Sequence, residues 1–349
     1  HVLSRRQRQM CIRDRGWHSW LFREEMKALL GDISILHPRV VSYDLTQEEI
    51  SKLSGASLLD EVLLLGGHSI FPESLESQNS LCKAIGEWAI QNFEEGDFAV
   101  RTRKIGELPG TISSRSFERK VGRVVASSGI MVNLESPSNE IVIIIAGSND
   151  GDTHPEPSEF NEIIVVWGIR VKEWSKENFS GRSPTDRPYF KPISLEPRQA
   201  RLLISLSRVP GREIKAVVDP FCGTGGIAIE ATLQDISALA SDLDSRMVEG
   251  TKANLKWLGK ECLVKKWDAS DLSKLWGERE GCSFVFDPPY GRSSWRSVDS
   301  LDIFLSVLEE AKKIDSDGVV STMLPAGPEA LDSGNNDAVS YTHLRAHET

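Results

Sequence analysis

Apolar and polar positions follow two different rhythms along the chain, and the change falls near residue 190. Leu21 to Leu30 has the 3.6-residue spacing of a helix, Arg39 to Tyr43 reads as extended, and Gln47 to Leu53 reads as a helix behind Thr46, with Glu49 completing a capping box. Residues 16–75 thus predict a small α+β unit of ferredoxin-like type. A second unit, residues 76–171, is predicted from a helix over Leu81 to Phe93, a strand Phe98 to Arg103, a helix Phe117 to Ala126, and strands Ile141 to Ala146 and Ile163 to Val171. Residues 172–189 hold Ser, Gly, Pro and charge without periodicity and read as a linker.

From 190 to 338 helices and strands alternate. Helix Pro197 to Val209, strand Ile214 to Asp219, a helix from Thr224, strand Ala238 to Asp242, helix Ser245 to Leu258 and strand Cys262 to Trp267 come first. Strand Ser283 to Asp287, helix Leu301 to Ile314 and strand Gly318 to Leu324 follow. This order predicts a Rossmann-like α/β domain, a doubly wound and mostly parallel sheet. No internal repeat of 20 to 50 residues is visible.

The two ends lack such a pattern. Residues 1–15 carry five arginines against one aspartate and no apolar period, and residues 339–349 are equally patternless. Both resemble translated adaptor sequence and are expected to lie outside the native fold, with the natural chain truncated at both ends. An Arg-rich targeting presequence is the alternative for the front, but its apolar residues mark no amphipathic face.

With 349 residues the chain has room for about two domains. Hydrophobic residues at 40% and charged ones at 26% exclude global disorder. The net charge of -10 means that any nucleic-acid binding must come from a local patch. One exists: Phe98 to Val124 holds Arg101, Arg103, Lys104, Arg115, Arg119, Lys120 and Arg123 against only Glu107 and Glu118. It reads either as an RNA face or as a solvated charged face. The five cysteines form no C-x-x-C pair and no histidines cluster at metal spacing, so neither a metal site nor a disulfide framework is expected. Apolar runs such as Ile141 to Ala146 fall far short of the roughly 20 residues of a membrane span. A cytoplasmic, monomeric protein is expected.

Four turns carry candidate chemistry. Val217-Val-Asp-Pro-Phe-Cys-Gly-Thr-Gly-Gly226 is an apolar strand ending in an acid, then a glycine-rich turn that lets backbone approach a ligand at the carboxyl edge of the sheet. It lacks both the Walker A order and G-x-G-x-x-G, which disfavours a phosphate cradle, and taken alone it also serves as a tight turn. Ala240-Ser-Asp-Leu-Asp244 ends the next strand about 20 residues on; Asp242 can accept from both hydroxyls of a ribose, and Asp244 is expected to cap the following helix. Asp268, after the third strand, sits where an adenine amino group could be read or where a solvated turn needs an acid.

Phe284-Val-Phe-Asp-Pro-Pro-Tyr-Gly291 is the most specific of the four. An exocyclic amine is a poor nucleophile because its lone pair is delocalised into the ring. Acceptors against its N–H bonds, here the Asp287 carboxylate and a backbone carbonyl beside Pro288, favour the pyramidal, reactive form. Pro288 and Pro289 stiffen the turn, and Tyr290 offers a stacking face. The bland alternative is a proline turn ending a buried strand. Cytosine-C5 chemistry would need an attacking thiolate, yet no Pro-Cys occurs and Cys222 lies within the glycine turn.

Asp219-Pro-Phe-Cys-Gly-Thr-Gly, Ser241-Asp-Leu-Asp and Asp287-Pro-Pro-Tyr-Gly resemble motifs I, II and IV of class I S-adenosylmethionine-dependent amino-methyltransferases. The basic strand and helix from Phe98 to Val124 resemble a THUMP RNA-binding domain. With Arg187-Pro-Tyr-Phe-Lys-Pro-Ile-Ser-Leu195, the arrangement over residues 17 to 338 resembles the archaeal-type tRNA (guanine(10)-N2)-dimethyltransferase family. The resemblance implies S-adenosylmethionine as cofactor, tRNA as partner and methylation of a guanine N2 amine. It also implies that Asp219, Phe221, Gly223 and Gly225 line the cofactor site, Asp242 holds the ribose, Asp268 the adenine, and Phe190 and Pro192 help close the pocket. Asp287, Pro288, Pro289 and Tyr290 would act on the base, and Arg101, Arg103, Lys104, Arg119, Lys120 and Arg292 would touch RNA. The loop Gly291 to Ser297 reads equally as a lid and as a solvated loop.

Two departures stand out: Glu196, where a neutral or basic residue is expected, and the absence after Leu324 of a final strand pair, which would leave a sheet edge uncovered. Three alternatives stay open at this point: another guanine of tRNA or ribosomal RNA, adenine in DNA, and a non-catalytic RNA-binding protein with a relic transferase domain.

Overall fold

The computed structural model describes residues 8–14, 18–45, 50, 53–147, 162–172, 174–192, 194–288, 298–325 and 339–345. They form two compact units, His1–Ser54 with Leu58–Lys176, and Gly55–Ser57 with Glu177–Thr349. The break at Lys176 falls inside the linker expected over 172–189.

The first unit runs β1 (Arg8–Asp14), α1 (Ser19–Leu30), β2 (Ser34–His37), β3 (Val40–Leu45), β4 (Leu59–Ile70), α2 (Leu75–Asn92), β5 (Phe98–Ile105), α3 (Ser114–Ala126), β6 (Asn139–Ala146) and β7 (Ile164–Arg170). All seven strands join one sheet in the order β2-β3-β1-β4-β7-β6-β5. Two features of this sheet bear on the expected organisation. The boundary at 75/76 does not separate two sheets, because β4 pairs along β7 from Leu63↔Arg170 to Ile70↔Ile164. Residues 8–14, within the segment expected to be non-native sequence, form β1 between β3 and β4, with Met10 and Ile12 buried at period-two spacing. Arg13 of this segment pairs with Asp60 and with Glu61, the latter at 2.7 Å.

The strand β6 is buried along nearly its whole length. Ile141, Ile143 and Ile145 pack under α2 and α3 with Phe117 and Val121, while Val142 and Ile144 face the other side with Leu63 and Val166. Ser74 and Ser113 cap α2 and α3, accepting from the N–H groups of Ser77 and Ser116. The helix expected over Gln47 to Leu53 lies largely outside the described residues.

The second unit runs α4 (Pro197–Leu206), β8 (Ala216–Asp219), α5 (Gly226–Thr232), β9 (Ser237–Asp242), α6 (Ser245–Trp257), β10 (Leu263–Lys266), α7 (Leu272–Trp276), β11 (Cys282–Phe286), α8 (Val298–Ile314), β12 (Val319–Pro325) and β13 (Val339–Arg345). The sheet order is β10-β9-β8-β11-β12-β13, parallel except for the last pair. The doubly wound parallel sheet expected from sequence is present. Its faces divide the residues of each strand: Val217 and Val285 pack with α4, α5 and α6, and Val218, Phe284 and Phe286 with α7 and α8. Each fully buried Phe contributes roughly 1.5–3 kcal/mol through that burial.

Residues 339–345, within the segment expected to be non-native sequence, form a strand along the β12 edge that was expected to be bare. β13 pairs antiparallel with β12 from Val319↔Arg345 to Pro325↔Val339. Val339, Tyr341 and Thr342 are residue types that suit a pleated strand, a signal hidden by the short length of the segment.

The chain winds from β8 outward to β10, then returns across the sheet to β11. The carboxyl ends of β8 and β11 therefore flank the point where strand order reverses, the crevice in which open α/β sheets bind ligands.

Candidate functional site

The site is built from the turns that leave β8, β9 and β11. After β8, Asp219 is 2% exposed and its Oδ1 accepts the Phe221 N–H at 3.1 Å, which closes the turn. Burial pushes this carboxyl well above the usual carboxylate range; the Phe221 hydrogen bond opposes that, and the nearby Asp242 and Asp287 charges add to it. Gly225 then adopts φ +85, and a Cβ there would lie 2.7 Å from Thr251 Cγ2, so only glycine fits. Above Gly223, by contrast, a Cβ would meet only Phe221 O at 3.9 Å, so this backbone is open to a ligand.

Asp242 ties the next strand to this turn. Its Oδ2 accepts the Gly223 N–H at 2.9 Å and its Oδ1 accepts the Asp244 N–H at 2.8 Å. Each oxygen keeps a lone pair, which suits the two vicinal hydroxyls of a ribose. Between the two acids Leu243 is 65% exposed, and Phe221 packs edge-on to Phe286 at 5.8 Å between ring centroids. A carboxylate for hydroxyls, an open glycine backbone and apolar surface for a heterocycle together fit a nucleoside. Asp244 caps α6 as expected, accepting from Arg246 N at 2.8 Å; the Arg246 side chain lowers its pKa to about 2.

Asp268 follows β10 and is exposed. Its Oδ1 accepts from both the N–H and the hydroxyl of Ser270, and these bonds hold it below the usual carboxylate range. It caps the short turn Ala269–Asp271 through Oδ1, in the solvated turn weighed for it as the alternative.

Asp287 leaves β11 beside the glycine turn, because β11 pairs with β8 through Cys282↔Ala216 and Phe284↔Val218. Burial raises its pKa from 3.8 to about 6. Pro288 is buried; Pro289, Tyr290 and Arg292 lie outside the described residues. If the charged carboxylate is the working form, kcat rises with pH through about 6 and is flat above it. A kcat that is flat or falling from pH 5 to 7.5 would remove Asp287 from the chemistry. The same shift makes this group's contribution to stability complete below 3.8 and lost as pH rises through about 6.

The segment before α4 is held against the turn by a residue that sequence reading missed. Asn254, fully buried on α6, accepts the Tyr189 N–H at 2.9 Å and donates to Tyr189 O at 2.7 Å and to Thr224 O at 2.9 Å. Ser194 accepts from the Thr224 hydroxyl at 2.8 Å. Close approach here needs Gly250, since a Cβ on it would lie 2.0 Å from the Tyr189 ring. Phe190 is 46% exposed and Pro192 is exposed, so neither is packed into the site. The only signal for Asn254 and for Thr251, which donates to Gly223 O at 2.9 Å, was polarity on the apolar stripe of α6. Cys222 is buried, its thiol pushed far up by that burial, and it makes no thiolate nucleophile.

The basic patch lies in the first unit. Arg103 is committed to Glu61 at 3.1 Å and Glu140 at 3.8 Å, carboxylates from other strands that a local charge count leaves out. Arg101 and Lys104 donate to the carbonyls of Leu134 and Ile112. On α3, Arg115, Arg119 and Arg123 are exposed at spacings of four, one stripe of a helix, with Lys120 half-buried beside them.

Among the described residues no group of three or more His, Cys, Asp or Glu could hold a metal ion, and no helix is long and apolar enough to cross a membrane.

The parallel sheet and this switch-point site are those of a methyltransferase domain, and residues 184–341 match the RMKL-like methyltransferase domain family. A possible methylase from Clostridium difficile 630 shares the fold, with a TM-score of 0.50 at 13% identity over 97% of this chain and 98% of that one. The chain is 30% identical over 327 residues to the tRNA (guanine(10)-N2)-dimethyltransferase of Methanocaldococcus jannaschii, covering 85% of this chain and 86% of that protein. It is 30% identical over 248 residues to the enzyme of that name from Pyrococcus abyssi, 70% of this chain and 68% of the relative. A third, from Methanothermobacter thermautotrophicus, is 35% identical over 238 residues, 67% and 63%. This chain belongs to the tRNA (guanine(10)-N2)-dimethyltransferase family.

Proposed function

We propose that the protein transfers a methyl group from S-adenosylmethionine to the exocyclic N2 amine of guanine in tRNA, at position 10. The observation that carries this reading is the placement of Asp287 at the end of β11, next to the glycine turn of β8 and the Asp242 carboxylate of β9. Family membership supplies the substrate class. When bound, S-adenosylmethionine supplies a methyl carbon made electrophilic by its sulfonium. The protein's own part is alignment and acceptance of charge.

Gly223 and Gly225 bring backbone to the nucleoside, Asp242 receives its ribose hydroxyls, and Leu243 with Phe221 offers the apolar face for its adenine. Asp268 keeps one carboxylate oxygen for the adenine amine. Asp287 accepts an N–H of the guanine amine, draws its lone pair out of the ring, and takes the proton that the nitrogen sheds once the new C–N bond has formed and the C–S bond has broken. Pro288, buried, stiffens that turn.

The first unit is the RNA-holding part, a THUMP-like module, and the α3 stripe is its contact to phosphate. Reversing the charge at Arg119 and Lys120 to Glu weakens tRNA binding by roughly tenfold or more and lowers the salt dependence by about two. Affinity for S-adenosylhomocysteine stays unchanged, which calorimetry on both variants checks. Equal loss of both affinities would point to misfolding. The reading as a whole is tested by label transfer from S-adenosylmethionine to an unmodified tRNA transcript. Replacing guanine 10 by adenine brings incorporation to background; undiminished labelling moves the target elsewhere.

A further inference from the structure

Three arginines meet behind the glycine turn. Arg182 pairs with Glu177 and Glu230, both at 2.7 Å, and Arg201 pairs with Glu230 at 2.7 Å and Glu177 at 3.8 Å. Those two carboxylates balance those two guanidiniums. Arg187 is the third and is only 5% exposed. Its Nε donates to Arg182 O at 3.1 Å, but among the described residues neither Nη1 nor Nη2 has a hydrogen-bond partner. A buried guanidinium left with two unpaired nitrogens is costly unless an anion reaches it. Burial lowers the pKa of Arg187, with Glu230 and Glu196 opposing that effect.

The position of Arg187 says which anion. A Cβ on Gly226 would lie 3.7 Å from Arg187 Nη1 and 3.3 Å from Leu195 O. Gly226 directly follows Gly225, so the guanidinium lies beside the glycine turn whose backbone is open at Gly223. A planar fork of two N–H-bearing nitrogens matches a carboxylate in bidentate fashion. In an S-adenosyl methyl donor, the single anionic group is the α-carboxylate of its amino-acid end.

We propose that Arg187 is the positioning residue that receives the α-carboxylate of the cofactor's amino-acid end, an inference that rests on the methyltransferase reading. It would fix the direction in which the sulfonium methyl points, and it would make the site distinguish an amino-acid-bearing nucleoside from a bare thioadenosine. Glu196 is the competing anion within the chain: it is exposed at the start of α4 and makes no side-chain capping bond there.

The test is calorimetry on the full chain with two ligands, S-adenosylhomocysteine and 5′-methylthioadenosine, which keeps adenine, ribose and sulfur but has no carboxylate. The wild type is expected to prefer S-adenosylhomocysteine. Arg187→Gln is expected to weaken that ligand by roughly 10- to 100-fold while leaving methylthioadenosine within about twofold. Glu196→Gln is expected to leave both affinities unchanged. Equal weakening of both ligands by Arg187→Gln, or loss of discrimination in Glu196→Gln instead, overturns the assignment. Should Arg187→Gln fail to fold, the wild type decides with the carboxamide of S-adenosylhomocysteine: weaker binding supports the proposal and equal binding overturns it. If the wild type binds both nucleosides equally, this inference alone fails. If it binds neither, the methyltransferase reading fails with it.

Discussion

Replacing Asp287 by Ala is expected to lower kcat for methyl transfer by about 10²- to 10³-fold, the range for removing one acceptor or donor that acts on charge developing in the transition state. Affinity for S-adenosylhomocysteine should stay within about twofold, because the ribose carboxylate and the glycine turn belong to β9 and β8 rather than β11. Asp287→Asn separates two contributions of the side chain. It keeps a carbonyl oxygen to accept an N–H but cannot take a proton, so activity intermediate between wild type and Asp287→Ala is expected, without the rise through pH 6. Rapid-quench turnover with tRNA in excess checks this. Turnover within threefold of wild type in Asp287→Ala would remove the carboxylate from the mechanism.

The second large effect is on stability. Glu230 is fully buried, accepting from Arg182 Nε at 2.7 Å and from Arg201 Nε at 2.9 Å. Glu230→Ala leaves those guanidiniums buried without their shared counter-charge, at a cost of about 3–5 kcal/mol. Because Glu230 lies on α5, directly behind the glycine turn, loss of cofactor binding should accompany the loss of stability. Hydrogen exchange resolved by peptide provides the internal control: α5 and α4 should lose protection while α3 in the other unit keeps it. An unchanged urea midpoint, or equal loss in both units, would mean that the network does not hold this domain together.

Much of the second unit was legible because its strands and helices alternate and its turns are punctuated by Gly, Pro and Asp. Asp244 was recognised as a helix cap, and the three turns at Asp219, Asp242 and Asp287 were recognised as one candidate site. What was not legible depended on partners distant in sequence. β4 went unassigned because Asp60, Glu61, Gly66 and Gly67 interrupt its apolar run, the glycines at a register shift between Leu65 and Gly67. Arg103 read as a free cation until the fold brought Glu61 and Glu140 beside it. Asn254 and Glu230 look like ordinary polar positions on helices; burial and hydrogen bonding turn them into the staple of the Tyr189 segment and the centre of an arginine network. The strands β1 and β13 were not legible for a related reason, since strand pairing can order a short run with no periodicity of its own.

The most direct measurement of the central claim is nucleoside mass spectrometry of an unmodified tRNA transcript after incubation with the purified chain and S-adenosylmethionine. The account predicts N2-methylated guanosine, absent when Asp287 is replaced by Ala. Methyl groups on adenosine or cytidine, or an unmodified transcript despite bound cofactor, would contradict it.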